Sequence, residues 1–136
     1  MSTLVIDTIQ GKTTAGSVNV RGEGSNNTNL QQGLAKAWVN FTGITTTAAR
    51  DSFNVSGLTD SGTGHTHINI NSDMANVNYS GFYFTSAAAG ANASNFNNQH
   101  TGGFGSFTTG SCQVYAYGTT VVDSYQNLVG FHGDLA

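Results

Sequence analysis

The chain has 136 residues, about one domain's worth, with room for a core but not for a second full-sized domain. Only 8% of residues are charged and the net charge is −3; the four cations, Lys12, Arg21, Lys36 and Arg50, make no basic patch to neutralise phosphates, so nucleic acid is not an expected partner. The start "MSTLVIDTIQ" lacks the charged and apolar regions of a signal peptide, and no apolar run approaches the ~20 residues of a membrane span, so synthesis and folding in a host cytoplasm is expected.

Asn, Thr, Ser and Gly occupy the places that Lys, Glu and Arg usually take. These residues suit pleated sheets and turns better than helix surfaces. Eighteen glycines serve tight turns, and the absence of proline leaves every backbone N–H free to join a ladder. An all-β fold is expected.

In chain order, "STLVIDTIQG" is β-prone, and Val18 and Val20 alternate before a glycine and asparagine cluster. This arm, residues 1–30, has too few large apolar residues for a core and reads as one or two short strands that pack on something else. Within "NLQQGLAKAWVNFTG" a helical turn competes through Leu30 and Leu34, and then strict alternation starts. Ala35, Ala37, Val39 and Phe41 take one face, with Lys36, Trp38 and Asn40 on the other, so 35–42 is predicted as a strand. "DSFNVSGL", "THINI" and "NYSGFYFTSA" follow at the spacing of sandwiches and barrels, with the turn "DSGTG" between. A loop is predicted over 88–105. The chain closes with strands in "SCQVYAYG", "TTVVDS" and "QNLVGFHG". The expected architecture is a small antiparallel β-sandwich or barrel-like domain over 31–136, preceded by the extended arm.

Chemistry-bearing residues are sparse: seven carboxylates, four histidines and one cysteine, without nucleophile or phosphate-loop motifs, so no catalysis is expected. Cys112, alone, reads as a small buried residue. His65 and His67, two apart on a strand, point to the same face. Two imidazoles cannot complete a metal site, but three copies around a threefold axis supply six, a set suited to iron, nickel or zinc. The competing expectation is two polar residues in line with Asn69, opposite Ile68 and Ile70. His100 and His132 have no spacing partner. Phe96, Phe104 and Phe107 in or beside the predicted loop, with His100 and with Tyr115 and Tyr117 on a strand face, are candidates for stacking on sugar rings; packing into the domain is the competing expectation.

The Ala-Lys-Ala-Trp-Val-x-Phe block at 35–41 and the Arg-Asp-Ser-Phe-Asn-Val-Ser block at 50–56 are followed by Asp60, Gly62-Thr63-Gly64, Met74 and Tyr79. With these blocks the sequence resembles a family of tailed-bacteriophage virion proteins, fibre modules common in marine and cyanobacterial phages and often found at tail-fibre C-termini. The opening "STLVIDTIQG" also looks like the first strand of such proteins. One departure is the His-x-His after Gly-Thr-Gly, where the family usually has an acidic or aromatic residue.

The resemblance implies a homotrimeric virion protein, a tail-fibre or fibre-tip component. Its arm, through Leu4, Val5, Ile6 and Ile9, would attach to other virion proteins, and its C-terminal domain would meet a host-surface polysaccharide or outer-membrane protein. The alternatives are a capsid decoration or head-fibre protein, and a carbohydrate-binding module.

Overall fold

The computed structural model describes residues 3–12, 18–22, 24–86 and 99–136, with backbone alone for 99 and 100. The chain divides into two units, Met1–Leu34 and Ala35–Ala136. In the first, β1 (Asn19–Arg21) and β2 (Asn27–Asn29) form an antiparallel hairpin with Val20 opposite Thr28. A single helical turn, α1 (Leu30–Gly33), follows, capped by the Asn29 side chain, which accepts the Gln32 N–H at 3.0 Å. An apolar hollow of about 300 Å³ between Val20, Leu30 and Leu34 is what so few large side chains leave open.

Residues 3–12 form no strand, contrary to the expectation from their β-prone run. A strand exists only through its pairing, and among the described residues none pairs with this segment. Leu4, Val5, Ile6 and Ile9 are accordingly exposed.

The second unit is an antiparallel β-sandwich. Its strands are β3 (Ala37–Thr42), β4 (Ala48–Phe53), β5 (Val55–Gly62), β6 (His65–Ile70), β7 (Ser80–Ser86), β8 (Gln99–Phe107), β9 (Ser111–Tyr117) and β10 (Gln126–His132). One layer runs β4-β3-β10-β7 and the other β8-β9-β6-β5. Two strands turn the corner between layers. β4 and β5 are one run of chain bent at Asn54, which takes the left-handed conformation at φ 54°. Its side chain fastens the bend, donating to the Lys36 and Ser72 carbonyls and accepting the Ser72 N–H. At the opposite seam β8 pairs with β7 through Gln99 and His100 and with β9 from Thr101 onward.

Alternation fills the space between the layers with Ala37, Val39, Phe41, Val129 and Phe131 from one sheet and Ile68, Ile70, Cys112 and Val114 from the other. Met74 and Tyr79 close one end; the Tyr79 hydroxyl lies 2.9 Å from the Thr108 carbonyl and 3.0 Å from that of Ser111, its donor shared between them. A polar cluster closes another part of the interior. Asn127, 2% exposed, accepts the Tyr83 hydroxyl at 2.6 Å and the Thr85 hydroxyl at 3.0 Å, and donates to the Ser124 and Phe41 carbonyls.

Two expectations are corrected here. Of the loop predicted over 88–105, residues 99–105 belong to β8, and 88–98 lie outside the described residues. Glycines concealed the strand: a Cβ at Gly102 would strike the Tyr83 ring and one at Gly105 the Tyr115 hydroxyl, so close packing, not turning, selects them. The strand predicted in "TTVVDS" is a loop with one bridge, Val121 to Tyr117. Its groups serve the end of β9 and the β5–β6 turn instead. Val122 N–H donates to the Ala116 carbonyl, and the Asp123 carboxylate accepts the Gly64 N–H at 2.8 Å.

Burial pushes the Cys112 thiol from 9.0 up to about 12 and the Tyr83 phenol from 10.0 up to about 12, and the Tyr79 phenol moves upward for the same reason. The fold therefore holds protons that the unfolded chain releases, and stability falls as pH rises through the unfolded values. The melting temperature is expected to be unaffected by these groups below about pH 8 and to drop from pH 9 to 12, with a shallower decline in Cys112→Ala and Tyr83→Phe. Circular dichroism melts across this range check it; a level profile to pH 12 would contradict the burial of these groups.

Candidate functional site

The same alternation that points Val39, Val129 and Tyr83 inward turns Trp38, Leu128, Phe82 and Phe84 outward on the β4-β3-β10-β7 sheet. Register then aligns them. Phe53, Trp38, Gly130 and Phe82 stand in one row across the strands, and Asp51, Asn40, Leu128 and Phe84 in the next. Phe84 is 65% exposed, Phe53 53%, Phe82 42% and Leu128 37%.

Gly130 shapes the row, since a Cβ there would fall on the tip of the Phe82 ring. Phe82 thus leans across onto β10 toward Trp38. Its centroid lies 6.2 Å from that of Phe84 and 6.1 Å from that of His132. Ser80, Ser86, Gln126, Thr42 and Asn40 supply hydroxyls and amides around the rings. The face carries little charge. Arg50 at its β4 corner is engaged, donating to Asn40 Oδ1 at 3.2 Å and to the Phe41 and Tyr125 carbonyls at 3.0 and 2.6 Å, with its guanidinium 4.8 Å from the Tyr125 ring centre.

The outward face of the other layer is polar. His65 and His67 share it, opposite Tyr115 and Gln113 on β9. The His65 ring meets Tyr115 edge-on at 4.7 Å, and the Tyr115 hydroxyl donates to Gln113 Oε1 at 2.9 Å. Asn69 continues the row and donates to the Thr59 hydroxyl. Among the described residues no three His, Cys, Asp or Glu side chains converge to hold a metal ion. A site built on His65 and His67 would need matching strands from other copies.

The remaining sequence candidates separate. Tyr115 and Tyr117 lie on the polar face with the histidines, Tyr117 half-exposed. Phe104 and Phe107 turn inward, packing against Tyr83, Phe131 and Tyr79. His132 borders the aromatic row. His100 pairs with Thr85 through its backbone, and Phe96 lies outside the described residues.

The aromatic row itself was not anticipated. Its signal was present in "AWVNF" and "GFYFTS", where both alternating sets carry an aromatic residue, so that one aromatic set must remain outside whichever is buried. Chemically, flat rings beside amides and hydroxyls offer surfaces for stacking and hydrogen bonding. The thiol of Cys112 is buried, with its ionisation opposed. No protein family, curated protein or solved structure matches the chain.

Proposed function

We propose that this chain is a tail-fibre or fibre-tip module of a tailed bacteriophage, working as a homotrimer in the virion. The sandwich meets the host surface and the N-terminal segment attaches the module to other virion proteins. The observation that carries the reading is the exposed aromatic row on a sheet face that carries little charge, because an apolar patch of this kind marks an interaction surface. The exposure of Leu4, Val5, Ile6 and Ile9 in the separate N-terminal unit supports attachment there, and the fibre-like blocks at 35–41 and 50–56 support the virion assignment.

Gold labelling of intact particles with an antibody to the sandwich tests this reading. Label on tails is the expected result; label confined to heads would overturn it and favour a capsid decoration protein. Sedimentation of the purified chain should give the mass of three copies, and a monomer at micromolar concentration would remove the trimer.

A further inference from the structure

We infer that the outward face of β4-β3-β10-β7 binds a neutral polysaccharide, with a glycan strand lying across the β-strands over Phe53, Trp38 and Phe82 and flanked by Phe84. This deepens the host-contact reading and rests on it.

Area separates the two natural occupants of such a face. With aromatic side chains of roughly 200 Å² each, the exposed parts of Phe53, Phe82, Phe84, Leu128 and Trp38 come to roughly 400 Å². That is within the range of the largest, often functional, patch on a monomer and about half of the ~800 Å² each partner contributes to a standard protein interface. The row spans four strands, about 14 Å at the ~4.8 Å strand spacing, which suits a short oligosaccharide.

Charge agrees with the same occupant. Asp51 is the one carboxylate in the two rows, and Arg50 is spent on Asn40, Tyr125 and the Phe41 carbonyl. One carboxylate and one guanidinium, the latter held by neutral acceptors, offer a charged polymer little counter-charge here, whereas sugar rings find aromatic side chains to stack on and Asn40, Gln126, Ser80 and Ser86 for their hydroxyls. The platform is also preformed. β10 is paired on both sides and anchored from beneath by Val129 and Phe131, so little ordering remains to oppose binding.

The test uses the full chain on an array of neutral glucan and galactan hexasaccharides and their sulfated forms. Wild type should be retained by at least one neutral hexasaccharide, and Phe84→Ser and Phe53→Ser should each weaken retention roughly tenfold, with Tyr117→Ser on the other face unchanged. Amide-shift mapping of wild type with the retained sugar should move Leu128 and Gly130, a readout that does not depend on any variant folding. No retention by neutral sugars, retention by sulfated forms alone, equal retention by Phe84→Ser and Phe53→Ser, or shifts centred on His67 and Tyr115 would overturn the inference. So would sedimentation showing that Phe84→Ser dissociates an oligomer, since a second copy would then cover the face. Labelled tails with a blank array would leave the fibre reading standing and remove this one.

Discussion

Phe131→Ala should destabilise the sandwich by about 4 kcal/mol, near the middle of the range for emptying a buried phenylalanine site. Phe131 is fully buried and packs edge-on to Tyr79 at 5.5 Å, with Phe104 at 6.2 Å. Its cross-strand partners are Ala37 and Gly81, the smallest available. Neither can reach into the vacated volume, so the cavity stays open and its cost is not relieved by collapse. For a unit of this size the melting temperature should fall by roughly 20 °C, to be read by circular dichroism. A fall under about 5 °C would mean that the two sheets do not close on this ring.

Asn127→Leu should cost about 3 kcal/mol although the branching and heavy-atom count of the side chain are kept. The two carbonyls it leaves have other donors: Phe41 keeps Arg50 and Ser124 keeps the Gly43 N–H. The Tyr83 and Thr85 hydroxyls lose their shared acceptor in a space of only about 10 Å³, and that loss dominates. Removing the Tyr83 hydroxyl as well should recover part of the cost. In urea titrations, Asn127→Leu with Tyr83→Phe is expected to be less destabilised than the sum of the single variants by about 1 kcal/mol. Strict additivity would refute the hydrogen bond as the source.

Much of the fold is legible in the order of residues, for a local reason. Period-two alternation is the cause of the two-faced strand, so β3, β6, β9 and β10 fall where "AWVNFT", "HTHINI", "SCQVYAY" and "QNLVGFH" alternate. β8 was not legible, because the reason for its glycines lies in the rings of Tyr83 and Tyr115, distant in sequence. The valines of 119–124 misled in the opposite direction, as strand-prone residues that add only a bridge and one N–H to the end of β9.

The candidate site shows a further limit. The outward aromatics belong to β4, β3 and β7, and only register across β10 unites them, so sequence proximity pointed to Phe104 and Phe107 instead. The shared face of His65, His67, Tyr115 and Gln113 was readable within each strand, but the edge contact between His65 and Tyr115 was not.

β10 is the last strand in chain order, yet it lies between β3 and β7. No amino-terminal fragment that stops short of Gln126 can assemble the first layer, however much of the chain it includes. The early strands must wait, with apolar faces uncovered, for a partner some ninety residues away, which places the unit among slow, high-contact-order folders. Shortening the chain by its final strand would thus take out the middle of a sheet, and both the buried layer and the aromatic platform would be lost together.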